Sequence, residues 1–251
     1  MKTAPIIAAI MAALPASYDP ANEVDVELVL AVDISQSMES DEKDLQRAGY
    51  AAALLSREFL DAIEAGPLQR IAVSYVEWGG IGEQYVVADW QIIDGPDSAA
   101  HLAEEILTAP ENKSQRTSIA DALRFSKTML ENNQYQGLRS VIDISGDGPN
   151  NQGGAVTEAR DMLVSAGITI NGLPLKLKQD KTAWAATFNI VNYYRDCVIG
   201  GPGSFAEPVR SKDEFPQAVK RKLVTEVAGI QPQVIHASST ESKPTNCGMF
   251  D

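Results

Sequence analysis

The sequence predicts an α/β fold, a doubly wound and mostly parallel sheet with one antiparallel edge strand. Short apolar segments typical of buried strands alternate along the chain with amphipathic helical segments. This order is typical of a parallel sheet with helices on both faces. One exception predicts the edge strand, because Gly79, Gly80 and Gly82 form a turn between two strand segments and so favour a hairpin.

The first predicted strand lies in the apolar run Val26–Met38, which ends in the oxygen-bearing side chains of Asp33, Ser35 and Ser37. A short β-branched run of this kind suits a central strand that is buried on both faces. Ligand crevices lie just beyond the carboxyl ends of such strands, where side chains at alternate positions can converge. Three hard oxygen ligands favour magnesium, manganese or calcium over zinc or copper. The spacing leaves a second interpretation open, in which Ser35 or Ser37 caps a helix that begins near Ser40.

The remaining segments continue the alternation. Apolar residues at steps of three and four predict one long helix over Asp41–Glu64, stopped by Gly66 and Pro67. Its predicted buried stripe consists of Leu45, Ala48, Ala52, Leu55, Phe59 and Ala62. The other predicted strands are Arg70–Trp78, Gln84–Ile92, Leu138–Ser145, Ile168–Leu175 and Phe205–Val209. The other predicted helices are Pro96–Leu107, a helix opened by Thr117, Gly154–Ala166, Lys181–Tyr194 and a closing helix from Ser211 to Val227.

Two later residues add oxygen ligands near the ends of predicted elements. Thr117 opens a helix after a polar loop, and Asp147 lies in the glycine-rich turn that follows a predicted strand. Considered singly, Thr117 would be interpreted as a helix cap and Asp147 as an ordinary turn residue. Asp143, inside the preceding apolar run, is interpreted as a structural or supporting acid.

Together with Asp33-Ile34-Ser35-Gln36-Ser37, these segments resemble the three-part metal-ion-dependent adhesion site of von Willebrand factor A (VWA) domains. The ligands that the resemblance implies are the hydroxyls of Ser35, Ser37 and Thr117 and, directly or through water, the carboxylates of Asp33 and Asp147. The implied cofactor is Mg²⁺, or Mn²⁺ or Ca²⁺ in its place. Arg116 and Ser118 depart from the small and acidic neighbours that the pattern often has around the threonine.

Composition and the N-terminal residues predict an exported protein. The 251-residue chain has a formal net charge of -13, which argues against nucleic acid or an anionic membrane surface as a partner. Lys2, the apolar stretch Ile6–Leu14 and Pro15 with the small residues after it have the layout of a signal peptide, too short to span a membrane. We therefore predict a signal peptide at residues 1–21, a VWA-like domain at 23–228, a polar tail at 229–251, and a periplasmic or secreted location.

The two cysteines, Cys197 and Cys247, predict one disulfide in an exported chain. Such a bridge would hold the C-terminal tail, in which residues Ala237–Asn246 are expected to be disordered. The segment Asn192–Gly203 is similar to that of a group of exported bacterial VWA-type proteins without an assigned activity. It is interpreted either as a disulfide-anchored loop that packs over a sheet edge or as a functional segment.

The resemblance implies a protein-binding module, monomeric by itself, in which a divalent cation accepts a carboxylate from a partner protein. Two alternatives stay open. A metal-dependent hydrolase would use the same cation to activate water, although His101 and His236 are expected at the surface and neither is placed as a general base. A metal-independent structural module would carry a vestigial site. We predict a binding protein and not an enzyme.

Overall fold

A mixed five-stranded sheet forms the centre of the structure, a computed structural model that describes residues 19–177, 188–229 and 245–249. The strands are β1 (Glu23–Asp33), β2 (Ile71–Trp78), β3 (Gln84–Ile93), β4 (Gln136–Gly146) and β5 (Thr169–Pro174). The α-helices are α1 (Ser40–Leu54), α2 (Arg57–Glu64), α3 (Pro96–Thr108), α4 (Ile119–Glu131), α5 (Val156–Ser165), α6 (Ile190–Tyr193) and α7 (Phe215–Ala228). The strand order is β3-β2-β1-β4-β5, with β3 antiparallel and the others parallel. The predicted fold class is confirmed.

Strand β1 is the centre of the sheet, as its apolar run predicts. It pairs in parallel with β2 on one side and with β4 on the other. Val26, Leu28 and Leu30 face a core cluster that includes residues of α1, α2, α3 and α7, whereas Val29 and Ala31 face a second cluster with α4, α5 and α6. All five side chains are buried, so the carboxyl end of β1 emerges from between the two core clusters.

The predicted long helix over Asp41–Glu64 is wrong, because the structure has two helices with a break between Leu54 and Arg57. Ser56 causes the break. Its hydroxyl donates a hydrogen bond to the carbonyl of Ala53 at 2.7 Å and accepts one from the backbone N–H of Phe59 at 3.3 Å. Ser56 is therefore the N-cap of α2, a position that serine favours strongly.

The buried face of α1 also differs from the predicted apolar stripe. Ala48, Ala52 and Leu55 are exposed. The buried residues of α1 are Glu42, Gln46, Arg47, Gly49, Tyr50, Ala51, Ala53 and Leu54. Hydrophobic periodicity does not identify this face because three of its buried side chains are polar and are held by hydrogen bonds or ion pairs.

The predicted last strand, Phe205–Val209, forms only isolated bridges beside β5. The backbone N–H groups of Glu207 and Val209 donate to carbonyls of β5, at 2.9 and 3.0 Å. Pro208, which lies between them, has no N–H and cannot continue a ladder. The segment nevertheless covers the β5 edge of the sheet, whereas β3 at the other edge is hydrogen-bonded to β2.

The C-terminal part contains a disulfide between Cys197 and Cys247, whose Cα atoms lie 5.5 Å apart, which confirms the predicted bridge. Of the predicted helix Lys181–Tyr194, residues 188–194 are described, and α6 begins at Ile190 and continues into a π-helical turn at Tyr194–Val198. The predicted signal peptide, apart from its last residues, the first part of that helix, His236 and most of the polar tail lie outside the described residues. Within those residues, no helix combines the length and apolar character that a membrane span needs.

Candidate metal centre

The site begins at Asp33, the last residue of β1, whose side chain is fully buried. Asp33 Oδ1 accepts a hydrogen bond from the backbone N–H of Ser35 at 2.7 Å, a local turn in which the carboxylate reaches two residues ahead. The backbone of Asp33 is fixed as well. Its carbonyl accepts from Gln46 Nε2 at 2.8 Å, and its N–H donates to Ser145 Oγ at 3.4 Å. Helix α1 and strand β4 therefore both hold the end of β1.

Four of the five predicted ligand residues are linked by hydrogen bonds. The hydroxyls of Ser35 and Ser37 lie 3.1 Å apart, and Ser37 Oγ donates to Asp147 Oδ1 at 2.5 Å. Asp33 and Ser35 are buried, Asp147 is partly exposed and Ser37 is exposed. The oxygen atoms thus extend from the buried end of β1 to the protein surface.

Thr117, the fifth predicted ligand, is attached to the same loop through its backbone. Its N–H donates to Asn151 Oδ1 at 3.1 Å and its carbonyl accepts from the N–H of Asn151 at 2.9 Å. The N-cap of α4 is Ser118 and not Thr117, because Ser118 Oγ accepts the hydrogen bond from the N–H of Asp121. The backbone of Thr117 is thus fixed beside the Asp147 loop while its hydroxyl takes no part in capping.

The alternative in which Ser35 or Ser37 caps the next helix is wrong. The N-cap of α1 is Glu39, whose N–H donates to Glu42 Oε2 at 2.9 Å. The two serine side chains belong to the hydrogen-bonded cluster at the end of β1 instead.

A buried ion pair holds the loop that leads to Thr117. Arg47 Nε donates to Glu77 Oε1 at 2.7 Å, and Arg47 Nη1 donates to the carbonyl of Ala109 at 2.5 Å. Asn112 Nδ2 donates to the other oxygen of Glu77 at 3.0 Å. The loop after α3 is therefore fastened to α1 and β2, and this fixes the path of the chain toward the site.

Asn150 links the Asp147 loop to the start of α4. Its Oδ1 accepts a hydrogen bond from the N–H of Ala120 at 3.0 Å, and its Nδ2 donates to the carbonyl of Gly154 at 2.9 Å. Sequence reasoning missed Gln46, Arg47, Glu77, Asn150 and Asn151 as supporting residues. Only Asn150 and Asn151 carried a local signal, as polar residues directly after Asp147-Gly148-Pro149, and that signal is shared by any turn.

The surroundings of Asp33 disfavour its ionised form. Burial, with a further contribution from the nearby charge of Asp147, raises the pKa of Asp33 to about 7. Asp33 Oδ2 is buried and has no hydrogen-bond partner among the described residues. An unpaired buried carboxylate oxygen is costly, and a cation held by Asp33 would offset that cost.

The donor set fits a hard divalent cation. It consists of three hydroxyls and two carboxylates, all oxygen ligands of the kind that magnesium, manganese and calcium prefer. In the described part of the chain, no group of three or more His, Cys, Asp or Glu side chains is placed to hold a metal ion. The candidate site contains only two such side chains and depends on hydroxyls for the rest.

We expect Asp33 to make the metal-free protein less stable as the pH rises from about 4 to about 7. The raised pKa means that the folded state holds a proton that the unfolded state has already lost, so folding is favoured below this range and disfavoured above it. The measurement is the free energy of unfolding of the wild type minus that of Asp33→Asn, by urea titration across this range in a chelator. A difference that does not change with pH would contradict the assigned shift.

Comparison with protein families identifies one matching model, described as "Protein of unknown function (DUF1194)", over residues 23–231. No curated protein matches the sequence.

Comparison with solved structures gives neighbours at low identity. The pilus adhesin SpaC from Lactobacillus rhamnosus GG has a TM-score of 0.59 and 13% identity, over 82% of this chain and 30% of its own. The VWF domain of the type V pili tip protein Mfa5 from Porphyromonas gingivalis has a TM-score of 0.56 and 12% identity. The match covers 83% of this chain and 97% of that chain. Proximal thread matrix protein 1 from the mussel byssus has a TM-score of 0.56 and 13% identity, and its structure is described with a zinc-occupied MIDAS motif. The match covers 81% of this chain and 46% of that chain.

These likenesses show that the chain has a VWA-like fold. The chain spans less than half of the SpaC and mussel proteins, so it corresponds to one part of each of them.

Proposed function

Since the chain belongs to the DUF1194 family, whose description assigns no activity, we propose its function from the site: it is a metal-dependent protein-binding module. In this proposal a divalent cation is held by Asp33, Ser35, Ser37, Thr117 and Asp147. The bound cation would supply a coordination position for a carboxylate oxygen of a partner protein.

The single observation that carries the proposal is the arrangement of Asp33. Its carboxylate is fully buried, one of its oxygens lacks a hydrogen-bond partner among the described residues, and a second carboxylate lies close enough to raise its pKa. A buried carboxylate oxygen without a partner destabilises a fold, and a bound cation would supply that partner. Ser35 and Ser37 extend the oxygen cluster from Asp33 to the surface, where a partner can reach it.

The surface charge explains why the partner's carboxylate would need the cation. Glu39 and Glu111 lie exposed near the site, and Glu111 accepts a hydrogen bond from Ser40 Oγ at 3.5 Å. The whole chain has a formal net charge of -13. An acidic partner would be repelled by this surface, so a localised positive charge at the site would decide whether it binds.

The ion that we propose is Mg²⁺, with Mn²⁺ and Ca²⁺ as substitutes, because the ligands are oxygens. Zinc belongs in the same comparison, since the structure of the mussel protein is described with a zinc-occupied MIDAS motif. We also propose that the protein is exported. The disulfide supports an oxidising compartment, and two of the structural neighbours are a pilus adhesin and a pilus tip protein.

To test the proposal, the chain is immobilised and the exported proteins that it retains are compared in Mg²⁺ and in a chelator. We expect a bound protein whose retention falls at least tenfold in the chelator and in an Asp147→Asn variant. Asp161→Asn, a change of an exposed acid on α5, is the matched control and should retain the partner. Conversion of the partner's carboxyl groups to amides should also abolish capture.

Retention that is equal with and without metal would contradict the proposal. So would a partner that binds equally well after its carboxyl groups have been blocked.

The hydrolase alternative lacks a supporting observation. His101 is exposed on α3. Its Nδ1 lies 3.0 Å from Oε1 of Gln91 on β3 and 3.6 Å from Oε1 of Glu105 on α3. Turnover of ester and phosphate substrates in each metal would separate a hydrolase from a binding module.

A further inference from the structure

A pair of tyrosines lies between the disulfide and the candidate metal centre. Tyr193 ends α6, and Tyr194 begins the π-helical turn Tyr194–Val198, which also contains Cys197. Both tyrosines are fully buried, and their rings meet edge to face with centroids 6.5 Å apart. We call residues Ile190–Val198 the tyrosine turn. Single π-helical turns are rare and are frequent at functional sites.

Tyr193 contacts the loop that carries Asp147. The backbone N–H of Asn150 donates a hydrogen bond to the Tyr193 hydroxyl at 3.1 Å. Asn150 in turn accepts from the N–H of Ala120 at the start of α4. The hydroxyl of Tyr193 therefore helps to fix both loops that approach the site after β4 and before α4.

Tyr194 is directed at Asp33. A Cβ atom placed on Gly146 would lie 2.6 Å from the Tyr194 hydroxyl and 2.9 Å from Asp33 Oδ2, so the two oxygens face the same small space. Neither oxygen has a hydrogen-bond partner in the described ranges, and both are buried. A phenol is protonated at neutral pH, so the Tyr194 hydroxyl can donate a hydrogen bond.

The tyrosine turn is attached to the C-terminal residues covalently and by hydrogen bonds. Cys197 is bonded to Cys247. Asp196 Oδ2 accepts from the N–H and the hydroxyl of Thr245, at 3.0 and 2.8 Å, and the carbonyl of Asp196 accepts from Arg160 Nη1 at 3.0 Å. These contacts limit how far the turn can move away from β4 and the site.

We propose that the tyrosine turn positions the metal centre: the Tyr194 hydroxyl faces Asp33 Oδ2 beside Gly146 and would donate to it when Asp33 holds the cation, and the Cys197–Cys247 bridge holds the turn in place. Tyr194 acts through Asp33 and is not itself a ligand. Hydrogen bonds of this kind orient a ligating carboxylate, and their loss commonly reduces metal affinity 10- to 100-fold. The inference rests on the proposed metal centre and adds a residue that lies outside the five ligand positions.

The test compares Tyr194→Phe with Tyr75→Phe. Each change removes only a buried hydroxyl that lacks a partner among the residues described, and Tyr75 packs in the core cluster on the other face of the sheet. We expect the Kd for Mg²⁺, measured by calorimetry, to rise about tenfold or more in Tyr194→Phe. In Tyr75→Phe it should equal that of the wild type. The thermal midpoint of the metal-free protein should be the same or higher in Tyr194→Phe, which separates positioning from general loss of structure.

A spectroscopic measurement tests whether metal binding changes the surroundings of Tyr194. Mg²⁺ binding should change the near-ultraviolet absorbance of tyrosine in the wild type and in Tyr75→Phe, and this change should shrink in Tyr194→Phe. If the wild type and Tyr194→Phe bound Mg²⁺ with equal affinity, the positioning role would be overturned and the metal centre would stand. A wild type that binds none of the divalent ions would overturn both this inference and the proposed metal centre.

Discussion

Replacing Asp33 by asparagine is expected to abolish metal binding, with a rise in Kd of at least 100-fold for Mg²⁺, Mn²⁺ and Ca²⁺. The change removes one of only two negative charges in the site. Asparagine keeps the oxygen that accepts the hydrogen bond from the N–H of Ser35, and it replaces the oxygen that has no partner in the described residues by an amide donor. The variant should therefore fold, and at neutral pH without metal it should be at least as stable as the wild type.

Calorimetric titration with each ion checks this expectation, beside unfolding curves for the same proteins. Asp61→Asn, at an exposed acid on α2, removes the same charge and should leave metal binding unchanged. If Asp33→Asn bound Mg²⁺ as tightly as the wild type while keeping its fold, the assignment of Asp33 as a ligand would be wrong. A Thr117→Ala variant measured in parallel tests whether Thr117, whose backbone is hydrogen-bonded to Asn151, is also a ligand.

Replacing Lys222 by methionine is expected to destabilise the protein by about 3–5 kcal/mol, the usual cost of leaving a buried charge without its partner. Lys222 Nζ lies 2.6 Å from Asp143 Oδ1 and also pairs with Glu226, and all three side chains are fully buried. Burial and the charge of Asp143 raise the pKa of Glu226 to about 7. Without Lys222, both acids must either take up protons or remain charged in the core.

Urea unfolding at pH 7 measures the effect, and Lys220→Met is the matched control. Lys220 is on the same helix and pairs with Glu58 at the surface, so its loss should cost less than about 1 kcal/mol. The deficit of Lys222→Met should become smaller as the pH is lowered, because protonation of Asp143 and Glu226 removes the unpaired charge. If the two methionine variants had equal free energies of unfolding, the expected cost of removing Lys222 from the buried triad would be wrong.

The fold could be predicted from the sequence where hydrophobic pattern alone determines structure. The apolar run of β1 and the glycine turn before β3 gave the central strand and the antiparallel edge correctly. The hydrophobic pattern did not predict the structure where polar side chains are buried or cap a helix. The buried face of α1 was missed because Arg47 is buried through its ion pair with Glu77, and the break at Ser56 was missed because a capping serine looks like any helical serine.

The proximity of four candidate ligand residues could be predicted from the sequence, whereas the residues that hold their loops could not. Asp33, Ser35 and Ser37 are close in sequence, and Asp147 follows the neighbouring strand, so sheet topology brings them together. Tyr194 and Asn150 could not be inferred, because their contacts depend on how a π-helical turn and a loop pack over the end of β4. No spacing rule relates such contacts to the sequence.

The position of β1 determines how the molecule would carry a mechanical load. Asp33 is the last residue of a strand that pairs with β2 along Glu27–Asp33 and with β4 along Glu23–Ala31. A pull on Asp33 along the strand axis would shear both ladders at once, whereas a pull across an edge strand would open one ladder bond by bond. Resistance to force is set by the rate of unfolding, and a load shared between two ladders keeps that rate low. An attachment made at this end of β1 would therefore load two ladders, whereas an attachment at an edge strand would load one.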